Sequence, residues 1–292
     1  MGDKQVVLIT GCSDGGLGSA LAVAFHKAGY RVIATARNLS KLTATRQLGI
    51  EEIELDVLSD SSLSEAVQKL QALTGNRLDI LVNNAGEGYN MPVVDSDLDK
   101  VRKVFELNVF SIITVTHAFL PLLVATPGAK VANNISVVGV INLPFQGTYN
   151  ASKAAAKSYT ENLRLELAPF DIKVIALMTG SVQSHFFDNL DKNHGQSTQS
   201  LPPDSIYRVV PGGIKILNDP DGTLNKDGTE DAAVWAGNVV ADLSRPKPPH
   251  QIWRGKNAGR IGWLQHLPVG STDTMLKDLS GLRDVEKALE RK

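Results

Sequence analysis

An apolar, β-branched run that breaks into a cluster of glycines constrains this 292-residue chain more than any other feature. Gln5-Val6-Val7-Leu8-Ile9-Thr10 reads as a short strand buried on both faces. It runs into Gly11-Cys12-Ser13-Asp14-Gly15-Gly16-Leu17-Gly18, four glycines in eight residues. A helix follows, with Leu17, Leu21 and Phe25 on one stripe and Gly29 where the chain leaves it. In a strand, glycine turn and helix of this kind, backbone N–H groups at the helix N-terminus face a pyrophosphate, and the missing side chains let it approach. An ordinary tight strand-to-helix turn is the alternative. The spacing departs from G-x-G-x-x-G, which points to a variant of the dinucleotide fold.

The second strand, Arg31 to Arg37, bears on the choice of dinucleotide. A carboxylate at the end of this strand grips the adenosine ribose 2′-hydroxyl, whereas an arginine accommodates a 2′-phosphate. No Asp or Glu occurs from residue 31 to 50, while Arg37, Lys41 and Arg46 do. That favours NADP(H) over NAD(H), a solvated arginine at a helix start being the other reading of Arg37.

The same alternation continues along the chain. Glu52–Asp56, Asp79–Asn83, Lys130–Ile135 and Ile172–Met178 read as further strands, with helices over about 96–126 and from Tyr149 to about Ala168. Ser62 with Glu65 has the form of a capping box before Leu63, Val67 and Leu70. Strands separated by helices imply parallel pairing through right-handed crossovers. The expected fold is α/β: a Rossmann-type doubly wound sheet flanked by helices, with ligands outside the strands' carboxyl ends. Gly11, Asn83, Ser136 and Gly180 stand at or just past strand ends, as that rule requires. Residues 1–292 are expected to form one domain: a cofactor-binding and catalytic core over 1–184, a substrate loop over 185–228, and a C-terminal part over 229–292.

Tyr149 and Lys153 are four apart on a predicted helix and so share a face. A cation beside a phenol favours the phenolate. Moving the phenol from about 10 to near 7 takes roughly 4 kcal/mol, and would give a proton donor that works at neutral pH. A Tyr-x-x-x-Lys match on its own is equally a solvated helix face.

A formal charge of −1 offers no bulk attraction for nucleic acid. Cys12 is the only cysteine, which rules out an internal disulfide and suits a reducing compartment. No cysteine or histidine cluster has metal-ligand spacing, so no metal is expected, and the first apolar run is too short for a secretory leader. Leu107 to Ala129 holds no charged residue and is long enough to cross a bilayer. The alternation on either side, with Asn108, His117 and Pro121 inside it, places it instead as a helix packed on the sheet.

Thr10 to Gly18, Asn83-Asn84-Ala85-Gly86, Asn108, Ser136, Tyr149 and Lys153 together resemble the short-chain dehydrogenase/reductase family over roughly residues 4–190. Within it, the doubled glycine, Thr35-Ala36-Arg37 and Ile252-Trp253-Arg254-Gly255-Lys256 are most similar to the fungal NADPH-dependent 1-acyl-dihydroxyacetone-phosphate reductases. The resemblance implies a catalytic tetrad of Asn108, Ser136, Tyr149 and Lys153. Tyr149 would protonate the carbonyl oxygen, Ser136 orient it, Lys153 bind the nicotinamide ribose, and Asn108 anchor a relay water. It implies NADP(H) contacts from Gly11, Ser13, Gly16, Leu17, Arg37 and Ala85, from Asp56 to the adenine and Asn83 to the ribose, and from Gly180, Val182 and Ser184 near the nicotinamide. Asp56 as a helix-capping carboxylate is the alternative at that position. Where the family commonly has Pro-Gly after strand six and then threonine, this chain has Thr179-Gly180 and Ser184, which loosens the expected turn.

The implied activity is reduction of a hydrophobic or acylated ketone to a secondary alcohol, the ketone being an acyl-dihydroxyacetone phosphate or a fungal secondary metabolite. A diverged NADP-binding protein or non-redox cyclase using the same pocket is the alternative. The implied setting is a cytoplasmic homo-oligomer, dimer or tetramer, and the resemblance leaves peripheral association at endoplasmic reticulum or lipid droplets open as the less favoured alternative. No cluster of basic residues near the expected mouth identifies a substrate phosphate site. Residues 184–228 are polar and turn-rich and read as a lid carrying His185, Phe186, Phe187 and Tyr207, with anchoring of the lid as their other use. Gln251-Ile252-Trp253 reads as a last strand, and from Arg254 on the tail holds eight Lys/Arg against five Asp/Glu. It reads as packing on its own domain or a second subunit in preference to a membrane surface.

Overall fold

The first strand forms where β-branched and aliphatic side chains follow one another with no polar face. In β1 (Val6–Ile9), Val7 and Ile9 point to one side of the sheet and Val6 and Leu8 to the other, and all four are buried. The computed structural model describes residues 4–186, 201–210, 213–218 and 228–290. In chain order the elements are β1, α1 (Leu17–Lys27), β2 (Arg31–Ala36), α2 (Thr43–Gln47), β3 (Glu51–Glu54), α3 (Asp60–Thr74) and β4 (Ile80–Asn83). Then come α4 (Leu98–Phe105), a π turn (Glu106–Phe110), α5 (Ser111–Val124), β5 (Lys130–Asn134), α6 (Gly147–Glu166) and β6 (Lys173–Thr179). After a helical turn at Lys215–Asn218 follow α7 (Ala232–Leu243), β7 (Gln251–Arg254), α8 (Ala258–Leu264), α9 (Asp273–Ser280) and α10 (Leu282–Glu290).

The seven strands make one sheet in the order β3-β2-β1-β4-β5-β6-β7, parallel throughout. Strand order reverses between β1 and β4, so a crevice opens there at the carboxyl ends. On one face, α1 and α7 cover Val7 and Ile9, with Trp235 fully buried. On the other, α3 and α5 cover Val6 and Leu8 through Leu63, Leu70, Val115 and Phe119. By length and composition alone Leu98–Val124 could cross a membrane, at a mean hydropathy of 1.9. Its Val115, Phe119, Leu122 and Leu123 are instead packed on the sheet.

Strand ends differ from the sequence reading by one or two residues. The cap of α3 differs by a turn: Ser59, not Ser62, is the N-cap, and its hydroxyl accepts from the Ser62 amide at 3.3 Å. The helix begins at Asp60, so Ser62 lies inside its first turn, and Glu65 faces Lys69 on the surface. The C-terminal helices pack on their own chain. Leu276 and Val285 join Leu143, Phe145, Leu201 and Ile214 in a separate apolar cluster beside the sheet's carboxyl edge.

Candidate active site

Past the strand ends lies a cavity of about 750 Å³ that runs from the end of β2 to α9. Its floor is the glycine turn. Gly11 has φ +72°, and a Cβ there would lie 2.9 Å from the Ala85 Cα. A Cβ on Gly18 would lie 2.4 Å from the Gly11 carbonyl oxygen, so this glycine lets α1 seat against the end of β1. No side chain caps α1, whose N-cap is Gly16. Its first-turn amides are therefore left for a ligand.

Four polar residues, Thr10, Asn84, Asn134 and Thr179, lock the strand ends across the crevice. Asn84 Nδ2 donates to the Thr10 and Gly11 carbonyls, and Asn84 Oδ1 accepts from Asn134 Nδ2 at 2.9 Å. The Thr179 hydroxyl donates to Asn134 Oδ1 at 2.7 Å. A proline at 179 could not make that bond. The turn after β6 is thus tied to β5 by a side chain instead of being stiffened by a ring. Gly180 is required beside it, since a Cβ would lie 2.3 Å from the Lys256 carbonyl oxygen.

Ser136, two residues past β5, and Tyr149 and Lys153, in the first two turns of α6, come together on the cavity wall. Lys153 Nζ lies 5.9 Å from the Tyr149 ring centroid and donates to the Asn134 carbonyl at 2.9 Å. Both side chains are buried. Burial pushes the Tyr149 phenol up to about 12, with the Ser136 hydroxyl pulling it the other way. Burial likewise brings the Lys153 ammonium down to about 8. For the phenol, loss of water on burial is the larger influence and the Ser136 hydrogen bond the smaller. Tyr149 is protonated at neutral pH and stands ready to donate.

The short chain dehydrogenase family profile matches residues 5–195. A short-chain dehydrogenase/reductase from Pestalotiopsis microspora is 42% identical over 97% of both chains. An NADPH-dependent 1-acyldihydroxyacetone phosphate reductase from Schizosaccharomyces pombe is 35% identical over 94% of both. A crystal structure of a short-chain dehydrogenase from Streptomyces avermitilis superposes with a TM-score of 0.72 at 26% identity, covering 98% of each chain. The chain belongs to the short-chain dehydrogenase family. It is an oxidoreductase of that family.

This dehydrogenase places most of the expected site residues on the one cavity. Gly11, Ser13, Gly16 and Leu17 line its floor, and Arg37 and Ala85 its β2 and β4 sides. Gly180, Val182 and Ser184 line it after β6. Three expected residues do not line it. The Asn83 amide donates to Thr116 and Asn133 inside the core, bracing β4 against α5 and β5. Asp56 accepts from the Leu58 amide at 3.0 Å, closing the turn after β3, while its neighbours Leu55 and Val57 face the cavity. Asn108 sits in the π turn, where its carboxamide bonds both backbone groups of Glu87 and the Ser152 hydroxyl.

Arg46 is drawn away from the cavity by Glu52, at 2.6 Å, leaving Arg37 and Lys41 at the β2 end. Of the aromatic side chains after β6, Phe186 packs 5.5 Å from the Tyr149 ring, and Tyr207 meets Phe145 edge-on in the adjoining cluster. The His185 amide bonds the Gly15 carbonyl, and its ring fills the space a Gly15 side chain would need. Phe187 lies outside the described residues, as do 188–200, 211–212 and 219–227 of the expected lid. The sequence reading missed Asn84 and Asn134 as crevice residues. Two adjacent asparagines at each of two strand ends were the available signal.

Proposed function

We propose that this chain is an NADPH-dependent carbonyl reductase that converts a hydrophobic or acylated ketone to a secondary alcohol. The carrying observation is the convergence of Ser136, Tyr149 and Lys153 on one wall of a cavity that continues along an apolar surface. The glycine turn fits a pyrophosphate, because it leads into α1 at Gly16 with no side chain capping the first-turn amides. Arg37 and Lys41, with no acid on β2 or its following turn, fit a ribose 2′-phosphate. The Schizosaccharomyces pombe relative is named for NADPH, in the same sense.

When bound, the reduced dinucleotide supplies the hydride. Tyr149 donates the proton to the carbonyl oxygen, and Ser136 holds that oxygen beside the phenol. Lys153, fixed by the Asn134 carbonyl, keeps a positive charge next to Tyr149 as its proton leaves. Asn108 keeps its place in the π turn and positions Glu87 on the cavity wall. The apolar end is walled by Ile141, Leu143, Ile261, Leu264 and Leu276, which favours a substrate with a hydrocarbon portion.

The test is NADPH oxidation across a panel of ketones that includes an acyl-dihydroxyacetone phosphate, repeated with Tyr149→Phe. The reading requires turnover of at least one ketone, lost on that substitution. Survival of activity without the phenol would exclude Tyr149 as the acid.

A further inference from the structure

The cavity has a cationic group at each end, and a dinucleotide accounts for only one of them. At the β2 end stand Arg37 and Lys41, where a ribose phosphate belongs. At the other end stand Lys256, just past β7, and Arg260 on α8. The Lys256 backbone pairs with Ser181 after β6. Helix α8 packs on β7 and on the Val137–Gly139 turn that follows Ser136. These two cations therefore belong to the Ser136 side of the site, across the sheet from Arg37.

One face of the helix presents the arginine to the cavity. Asn257, Arg260, Ile261 and Leu264 all line it, and their spacing of three, four and seven residues is a single helical stripe. Asn257 launches that stripe from a left-handed backbone with φ 63°, a conformation asparagine tolerates better than most residues. Arg254, two residues before Lys256, is held by Asp242 at 2.8 Å. Among the described residues Lys256 and Arg260 have no such acidic partner. Next to them on the same wall are Ile261, Leu264 and Leu276, so charge passes directly into an apolar surface.

We propose that Lys256 and Arg260 form a substrate subsite for an anionic group, a phosphate or a carboxylate, carried by the same ketone whose hydrocarbon portion lies along Ile261, Leu264 and Leu276. The inference rests on the reductase reading, and it supplies what the sequence did not: a basic cluster at the mouth. An arginine presents two parallel donors to such an anion and a lysine adds a point charge.

The experiment is calorimetric titration of the full-length protein, first with NADP⁺ alone and then, NADP⁺-saturated, with octyl phosphate, octanoate and octanol. The first titration tests the cofactor reading by itself. The proposal expects one or both octyl anions to bind at least tenfold more tightly than octanol. In Lys256→Gln/Arg260→Gln that preference should fall below threefold, and Arg260→Lys should retain part of it. Equal affinity of the wild-type protein for all three amphiphiles would overturn the subsite, with no appeal to the variants. So would a double variant that keeps its anion preference while binding NADP⁺ tenfold more weakly, since the cations would then serve the dinucleotide.

Discussion

The two ends of the cavity are built in different ways. The part formed by the carboxyl ends of β1, β2, β4, β5 and β6 is made of strand termini and turns, held by main-chain bonds and by the Asn84–Asn134–Thr179 links. The end formed by α8, α9 and the 137–145 region is made of side chains packed on side chains, with Leu143, Phe145 and Leu276 in a cluster of their own. The first must hold its donors within fractions of an ångström to stabilise charge in a reaction. The second can exchange apolar residues of similar volume at modest cost. Chemistry is thus fixed at the strand ends, and choice of substrate is left to the appended helices.

The largest expected effect tests the chemistry that the strand ends hold in place, through the tyrosine that α6 brings to them. Tyr149→Phe removes the acid and should lower kcat for ketone reduction by about 10²–10⁴-fold, measured by NADPH oxidation. Next is Gly18→Ala, whose added carbon would meet the Gly11 carbonyl oxygen at 2.4 Å. Overpacking of this kind costs about 1–3 kcal/mol. Denaturant unfolding should show that loss, and fluorescence titration should show weaker NADPH binding as α1 lifts from the turn. A variant that binds NADPH as tightly as the parent would mean the contact relaxes freely.

That half is also the legible one, for a physical reason. A pyrophosphate turn needs glycines at specific positions, and a buried parallel strand needs continuous aliphatic residues, so both leave local patterns. Long-range side-chain partners leave none. Nothing near Asn83 says that its amide turns into the core toward Thr116 and Asn133 while Asn84, one residue on, bridges the crevice. The cap of α3 is ambiguous in the sequence because four successive residues, Ser59 to Ser62, are all good cap formers. The Lys256–Arg260 pair is illegible because only the fold brings residues past β7 beside Ser136.

Arg37→Ser is expected to have an effect of similar size to Gly18→Ala. Loss of one charge-assisted contact to a phosphate is worth about 1.5–3 kcal/mol, so the NADPH-to-NADH ratio of kcat/KM should fall by about 10–100-fold, with Lys41 keeping the remainder. A smaller effect concerns pH. Burial brings the Lys153 amine down to about 8, so it carries its charge below that pH and loses it above. Since kcat/KM reports the free enzyme, reduction should be level below that pH and decline above it, by about tenfold per unit if the charge is required. The stability sign is the opposite. Burial disfavours the charged amine, so its cost is full below pH 8 and is relieved as pH rises toward the unfolded value of 10.5. Activity and stability should therefore diverge across that window, which a pH series of both would show.

The smallest effect probes the appended half. Leu276→Ala shortens a buried side chain that both lines the cavity and packs against the cluster around Leu143. Leu276 is one of several apolar residues on that wall, so the substrate loses about one methylene's worth of contact, ~1 kcal/mol. KM for an apolar ketone should rise about three- to tenfold, with kcat changing less than KM, because no group that moves a proton is touched. The split between the two constants is the informative quantity. If kcat instead falls as far as it does in Tyr149→Phe, the packed half also governs the geometry at the phenol, and the division of labour between strand ends and helices does not hold.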